Sequence, residues 1–345
     1  MKREFFGLLI LLALIIAVSW KSASNEIKVG MIYTEDLEET VNLVIETAER
    51  YLGRDFSFTI VKKTVGFEKE ALEQAVRELH NEGVKLIFGP FSSTQAQHIL
   101  SLFEKFHILA VSPTVTSPAV LGVTPYLISL SMSDDIQARE IAKTAMESAG
   151  DVLMILDERN YVYTKNFAAN FISVYKIGNV YTATIDSGLV PQKILEICEH
   201  FRPNVLVLVC DFNQASRVVK TFEENGFTFK SILGSDMVSY GTYSIDDHPW
   251  MKPVRVFVHY DVESVDRFVD THPALAPLLK HQNMTFINSL DTLLLIEKLI
   301  NTWGNNPDII IENLPDLSYN GIGGEMRFSK DFQVQRKASM IPLGR

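Results

Sequence analysis

The sequence predicts an α/β protein built from two doubly wound lobes with parallel sheets. Three observations support this fold class. Short apolar runs alternate with amphipathic helices along most of the chain, which is typical of βαβ units whose sheet is buried on both faces. The pattern begins twice, near residues 27 and 151, and a length of 345 residues suits two domains. No low-complexity linker separates the two blocks, so we expect the lobes to be tightly joined.

The first block alternates strands and helices from residue 27 onward. The run IKVGMIY at 27–33 is typical of a buried strand, and the segment 68–82 places Ala75, Val76 and Leu79 on one helical face. The predicted strands are 27–33, 58–65, 85–88 and 108–111, and the predicted helices are 41–51, 68–82 and 93–106.

The second block repeats this order and is followed by a different C-terminal third. The run VLVLV at 205–209 is the clearest central strand, and the helix 214–225 ends at Gly226. The predicted strands are 152–156, 180–185, 205–209, 232–233 and 254–259, and the predicted helices are 165–175, 191–201 and 214–225. The last third predicts a helix at 265–281 interrupted by two prolines, a long helix at 286–303, and strands at 324–328 and 338–343.

The N-terminus has the pattern of a secretory signal over residues 1–24. Lys2 and Arg3 precede an apolar run at 5–20, and small residues follow it. An uncleaved membrane anchor is the alternative, but the run of about 16 residues is short against the roughly 20 that a spanning helix needs. With either interpretation the bulk of the chain lies outside the cytoplasmic membrane, in a periplasmic or extracellular location.

Composition and motifs exclude several functions. The formal net charge of −10 argues against nucleic acid and anionic membranes as main partners. We find no G-x-S-x-G, Walker, H-E-x-x-H or G-x-G-x-x-G motif, so the sequence predicts no catalytic residue, metal or cofactor and no enzyme activity. Cys198 and Cys210 are expected to be buried free thiols, although export would also permit a disulfide.

Two loops of the first block carry hydroxyl groups where a ligand would bind. In open α/β sheets, ligands bind beyond the carboxyl ends of the strands. One such loop holds Phe91, Ser92 and Ser93 at the start of a helix, whose free N–H groups and dipole suit a carboxylate. The next loop holds Thr114 and Thr116. The alternatives are simple helix capping by the serines and a turn fixed by proline.

The corresponding loops of the second block carry acids and aromatic residues. Tyr161 follows the strand 152–156, Asp211 and Phe212 follow the strand 205–209, and Asp236 follows the strand 232–233. Either acid could cap a helix or pair with a cation, and Tyr161 could cover a ligand or lie on the surface of its own lobe. Hydroxyls in one lobe and carboxylates in the other make a zwitterion the simplest ligand.

Four segments together resemble a known family. They are 83–93, 108–118, the spacing from Gly226 to Gly234-Ser235-Asp236, and 324–331. In order and spacing they are similar to the type I periplasmic binding proteins of the branched-chain amino acid (Leu/Ile/Val) class and to related receptor ligand-binding domains. The resemblance implies a solute-binding protein that closes on a small, amino acid-like ligand and delivers it to the membrane permease of an ABC importer. A ligand-sensing receptor domain that feeds a signalling partner is the alternative.

The resemblance also implies roles for individual positions. Ser93, Thr114 and Thr116 match groups that bind the carboxylate of an amino acid, and the latter two also match groups near its ammonium. Tyr161 matches an aromatic residue that closes on the ligand, and Asp236 matches the acid that pairs with the ammonium.

Three positions depart from the family pattern. Asp211 stands where the family often has an aromatic residue, a place that the neighbouring Phe212 could take. The segment 33–38 lacks the family's Ser-Gly-Pro loop, and the lobe-one cysteine pair is missing.

The family architecture implies three crossovers between the lobes, near residues 131, 259 and 328. Lobe one would then comprise 26–131 and 260–327, and lobe two 132–259 and 328–345. Ligand binding would close the lobes by a hinge motion.

Overall fold

The computed structural model describes residues 26–186, 190–239, 245–276 and 284–343. The predicted signal sequence and part of the predicted helix 265–281 lie outside the described residues. Two mainly parallel sheets, each covered by helices, form two lobes, which confirms the predicted α/β class.

The first sheet has the strand order β2-β1-β3-β4-β5, and every neighbouring pair is parallel. Its central strands are wholly buried, as the apolar runs predicted. The strands are β1 (Ile27–Tyr33), β2 (Phe58–Thr64), β3 (Leu86–Phe88), β4 (Leu109–Ser112) and β5 (Leu127–Ser129). The helices that follow in this part of the chain are α1 (Glu38–Glu46), α2 (Lys69–Asn81) and α3 (Ser93–Phe106).

The second sheet has the order β14-β10-β9-β8-β6-β7 and is parallel except for β14 at one edge. The strands are β6 (Val152–Asp157), β7 (Val180–Ile185), β8 (Val205–Val209), β9 (Ser231–Gly234), β10 (Val254–Val258) and β14 (Ser339–Pro342). The helices of this region are α4 (Asp134–Glu147), α5 (Tyr161–Val174), α6 (Gln192–Phe201) and α7 (Phe212–Glu224).

The C-terminal third adds three helices and a small antiparallel sheet. The helices are α8 (Val262–Thr271), α9 (Met284–Trp303) and α10 (Pro307–Asn313), and the sheet contains β11 (Ser318–Gly321), β12 (Gly324–Phe328) and β13 (Val334–Arg336). The predicted interruption at Pro273 is confirmed, since α8 ends at Thr271 and a 3₁₀ turn at Pro273–Leu275 follows, while residues 277–281 lie outside the described residues. The helix predicted at 41–51 is α1 followed by a π-helical turn at Thr47–Tyr51.

The chain passes three times between the regions of the two sheets. After β5 it enters α4, which packs against α5; after β10 it reaches α9, which packs against β3 and β4; and after β13 it forms β14. The predicted crossovers near residues 131, 259 and 328, and the lobe boundaries drawn from them, remain a prediction.

One buried ion pair lies where the three passages meet. The Arg336 guanidinium is 3.4 Å from Asp291 Oδ2, and both side chains are fully buried. Arg336 donates hydrogen bonds to the carbonyls of Leu130 (3.1 Å) and Gly323 (2.9 Å). The Gly323 carbonyl also accepts a bond from the backbone N–H of Asp261 (2.9 Å). Residues near all three passages are therefore joined through one guanidinium.

The two cysteines are buried free thiols, as the sequence predicted. Burial raises the pKa of Cys198 to about 11 and that of Cys210 well above its ordinary value. In the part of the chain that the structure describes, no helix combines the length and apolar character needed to cross a bilayer.

Candidate ligand-binding site

The hydroxyl-rich loops of lobe one are held together by their own side chains. Ser92 caps α3 by accepting a hydrogen bond from the Gln95 N–H (3.1 Å), so the capping alternative holds for this residue. Ser93 instead reaches the neighbouring loop, where its Oγ accepts from the N–H groups of Thr116 (3.4 Å) and Ser117 (3.1 Å). A serine at the start of a 14-residue helix thus lies beside two backbone donors of the second loop.

Thr114 fixes the relative position of the same two loops. Its hydroxyl donates to the Phe91 carbonyl (2.6 Å), and its N–H donates to Ser112 Oγ (3.2 Å). Phe91 is buried and packs on Phe88, with ring centroids 5.4 Å apart. These contacts therefore fix the backbones of the two loops relative to each other.

Asp236 lies at the carboxyl end of β9 and is only 1% exposed. Its Oδ1 is 3.2 Å from the Tyr163 hydroxyl, and its Oδ2 is 3.1 Å from His259 Nε2. His259 Nδ1 accepts from the Met132 N–H (3.1 Å), so the ring proton resides on Nε2 and is donated to Asp236. A tyrosine and a histidine side chain therefore both contact the predicted ammonium-pairing acid.

A second buried acid, Asp134, lies between the two lobes and was not predicted. It is the first residue of α4, is 1% exposed, and donates its backbone N–H to the Thr116 carbonyl (3.0 Å). Its Oδ1 has no hydrogen-bond partner among the described residues. Burial raises the pKa of Asp134 well above its ordinary value, the charge of Asp236 adds to this, and the Thr116 hydroxyl acts in the opposite direction.

Gln137 and Tyr163 complete this cluster and were also missed. The Gln137 amide lies between the Tyr163 hydroxyl (2.8 Å) and His259 Nε2 (3.3 Å), one helical turn from Asp134. The sequence did contain a signal, because Asp134 and Gln137 are polar residues on the face of α4 that should be apolar if it only packed on a core.

The other predicted residues of lobe two are less closely associated with this cluster. Asp211 caps α7 in a capping box with Gln214 (2.9 Å and 3.3 Å). Phe212 is buried against the His248 ring, with centroids 5.0 Å apart. Tyr161 is 55% exposed, and the Lys165 ammonium lies 5.4 Å from its ring centroid.

Arg159 accounts for two acids at this edge of the second sheet. Its Nη2 lies 2.9 Å from Asp157 Oδ2 and 2.7 Å from Asp211 Oδ2. Burial would raise the pKa of Asp157, but hydrogen bonds from Arg159 and Gln214 outweigh it and lower that pKa. Asp157 and Asp211 therefore share one arginine as their counter-charge.

The family model for periplasmic binding proteins matches residues 29–342. The chain belongs to the periplasmic binding protein family. This membership confirms the family resemblance predicted from the sequence.

Solved structures of the family share the two-lobed fold at low sequence identity. LivJ of Streptococcus pneumoniae, a branched-chain amino acid transporter substrate-binding protein in complex with isoleucine, is 18% identical, with a TM-score of 0.77 over 93% of this chain and 97% of that one. A leucine-binding protein, LivK, from Thermotoga maritima is 17% identical, with a TM-score of 0.76 over 92% and 96%. A solute-binding protein of an ABC transporter from Rhodopseudomonas palustris, in complex with p-hydroxybenzoic acid, is 15% identical, with a TM-score of 0.76 over 92% and 95%.

One curated relative is a receptor. The chain is 26% identical over 133 residues to glutamate receptor 2.9 of Arabidopsis thaliana, which is 35% of this chain. The match spans only 14% of the length of that receptor.

Proposed function

We propose that this protein is the extracytoplasmic solute-binding protein of an ABC importer. It captures an amino acid, or a related zwitterion or amide, between its two lobes by hinge closure and performs no chemistry on it. The observation that carries this proposal is the juxtaposition of a hydroxyl and N–H surface in lobe one with the buried Asp236 of lobe two. The two surfaces meet through Asp134, whose N–H bonds to Thr116.

The carboxylate of the ligand is assigned to lobe one. Ser93 Oγ and the N–H groups of Thr116 and Ser117 converge at the N-terminus of α3, where the helix dipole favours negative charge. Ser93 Oγ accepts from both N–H groups, and a ligand carboxylate would take over this acceptor role. Thr114 is assigned to hold the loop, because its hydroxyl already donates to Phe91.

The ammonium of the ligand is assigned to Asp236. His259 and Tyr163 donate hydrogen bonds to this carboxylate and orient it, and a ligand ammonium would add a charge-assisted hydrogen bond. Tyr161 is exposed here, and we assign it to the ligand-facing surface that closure would cover. Asp211 and Phe212 are assigned structural roles, since one caps α7 and the other packs in the core.

The transport role rests on the family and on neighbours that are substrate-binding proteins of ABC transporters, and it implies a membrane permease as partner. A sensory function is the second candidate, and the partial match to a plant glutamate receptor favours it. A permease encoded beside this chain and stimulated by the loaded protein would support transport; a signalling partner in that position would support sensing.

The test is a thermal-shift and calorimetry panel on the chain that begins at Asn25. The panel contains the L-amino acids, their amides, and the matched carboxylates 4-methylpentanoate and p-hydroxybenzoate. We expect amino acids to raise the melting temperature and the matched carboxylates to have little effect. Stabilisation by carboxylates alone would contradict the zwitterion assignment. Small-angle scattering with a stabilising amino acid should show a smaller radius of gyration, and an unchanged radius would argue against hinge closure.

A further inference from the structure

We propose that the outer edge of β7 is a self-association surface, where a second copy of this chain pairs its own β7 in antiparallel orientation about a two-fold axis. The second sheets of the two copies would then form one continuous sheet across the dimer. This inference goes beyond the proposed function and does not depend on it, because β7 contains no predicted ligand group. Its failure would leave the proposed function unchanged.

The first observation is an unpaired strand edge. β7 is the last strand at one edge of the second sheet, and its six residues pair with β6 alone. In the described part of the chain, no loop or helix forms a backbone hydrogen bond with this strand. Thr182 and Thr184 are exposed, so this face of the strand is not covered by a helix. The outer N–H and C=O groups of β7 can therefore pair with another strand.

The second observation is the composition of this edge. The run VYTATI at Val180–Ile185 contains no charge, proline or glycine, and every residue except Ala183 is β-branched or aromatic. The other edges of the two large sheets have features that oppose pairing. β2 carries Lys62 and Lys63, β5 has only three residues, and β14 has four residues and ends in Pro342. Among these four edges, β7 alone lacks such protection.

The third observation is the apolar surface beside the strand. Phe201, at the end of α6, is 43% exposed and stacks on Tyr181, with ring centroids 4.3 Å apart. Ile177 precedes the strand and is 47% exposed. Exposed apolar side chains that flank an unpaired edge indicate a surface covered by a partner. Their burial would add to the free energy of association that the strand pairing supplies.

Charge favours a second copy as the partner and the antiparallel orientation. The formal net charge of −10 makes copies of this chain repel one another, so self-association requires an uncharged contact surface such as β7. The exposed Lys176 precedes the strand, and the exposed Asp186 follows it. Antiparallel pairing brings the basic end of one strand towards the acidic end of the other, at both ends. Parallel pairing would instead bring like charges together.

The position of β7 also makes a dimer compatible with closure of the lobes. β7 and β14 lie at opposite edges of the second sheet, and the last passage between the lobes leads into β14. Within this sheet, a copy attached at β7 is therefore as far as possible from that passage. Pairing at β7 leaves the proposed hinge free to move.

Analytical ultracentrifugation of the chain that begins at Asn25, over a concentration series up to about 1 mM, tests the proposal. The wild type should show a reversible equilibrium between monomer and dimer, with no larger species, because each copy has one such edge. Thr182→Lys/Thr184→Lys and Thr182→Glu/Thr184→Glu each place like charges opposite one another across the two-fold axis. Each double variant should dimerise about tenfold or more weakly than the wild type.

A mixture of the two double variants provides the sharpest readout. Lysines of one copy then face glutamates of the other, so the equimolar mixture should form a heterodimer although each variant alone is monomeric. An unfolded chain would not form this heterodimer, so its formation also shows that both variants are folded. The matched control is Thr271→Lys/Thr302→Lys, which adds the same charge at exposed positions near the ends of α8 and α9 and should dimerise like the wild type.

Three results would overturn the proposal. A wild type that stays monomeric at about 1 mM has no such surface. A lysine double variant that dimerises as strongly as the wild type shows that another surface is used. Species larger than a dimer, or species that persist on dilution, exclude a closed pair, because two-fold pairing uses the free edge of both copies.

Discussion

Replacing Asp291 by Asn would test whether the buried ion pair with Arg336 holds the passages between the lobes together. The substitution preserves the shape of the side chain and one acceptor oxygen, but it leaves the guanidinium buried without a counter-charge. Arg336 would retain only neutral acceptors, on Leu130, Asn288 and Gly323. Removing one partner of a buried pair destabilises a protein by about 3–5 kcal/mol. That is a large fraction of the roughly 5–15 kcal/mol by which folded proteins are stable.

Urea unfolding of the ligand-free protein, followed by circular dichroism, provides the measurement. The other partner of the pair is removed by Arg336→Met. Its matched control is Arg327→Met, because Arg327 pairs with Glu325 at 2.8 Å on the exposed surface. We expect the control to change the free energy of unfolding by less than about 1 kcal/mol. The double variant Asp291→Leu/Arg336→Met should be less destabilised than the sum of its single variants by about 2 kcal/mol or more, since it leaves no unpaired charge.

The free energy of unfolding of Arg336→Met should also depend on pH, in a direction that the pKa of Asp291 determines. Burial raises the pKa of Asp291 even with Arg336 present, and without the arginine that effect loses its main opposition. An acid whose folded-state pKa is raised destabilises the protein increasingly as pH rises from its unfolded-state pKa of about 3.9 towards the folded value. Arg336→Met should therefore be most destabilised at neutral pH and approach the wild type near pH 4. Additive single variants, or a loss no larger than that of Arg327→Met, would refute the reasoning.

Three further predictions concern the candidate site and the N-terminus. Asp236→Asn should weaken amino acid binding by about 30-fold or more. Because this acid also accepts hydrogen bonds from His259 and Tyr163, the free energy of unfolding measured in urea should fall by about 1–3 kcal/mol. An unchanged affinity would remove Asp236 from the site. Without added ligand, Asp134→Asn should melt at a higher temperature than the wild type at pH 7, because the raised pKa of Asp134 makes its charged form unfavourable in the folded protein. The difference in melting temperature should vanish towards pH 4. A lower melting temperature of the variant at pH 7 would show that the acid is stabilising. The intact mass of the exported protein should correspond to a start near Asn25, whereas full-length protein found solely in the membrane fraction would indicate an anchor.

Apolar patterning predicted the sheets well because buried parallel strands have little freedom in composition. The runs at Val152–Asp157 and Val205–Val209 are fully buried, and both were predicted within one residue. The elements that were missed are short or polar. β5 has three residues, and α4 presents Asp134 and Gln137 on its buried side, so its first turn lacks the apolar residues that mark the start of an amphipathic helix.

The sequence indicated which loops form the candidate site, but not which of their side chains contact one another. The reading of polar loops after strands found Ser93 and Thr116, since sheet architecture dictates where such loops lie. Sequence reasoning could not exclude Asp211 from the site. That exclusion depends on Arg159, which follows β6 and reaches Asp211 at the end of the neighbouring strand β8. Nor could it choose between Tyr161 and Tyr163, because residues two apart on a helix point in different directions and only the strand order decides which faces Asp236.

The segment from Met132 to Asp134 connects the acidic cluster around Asp236 with the hydroxyl-rich loops of lobe one. The Met132 N–H fixes the tautomer of His259 in lobe two, and the Asp134 N–H holds the Thr116 carbonyl in lobe one. Two backbone groups in one short segment therefore tie the acid end of the site to its hydroxyl end.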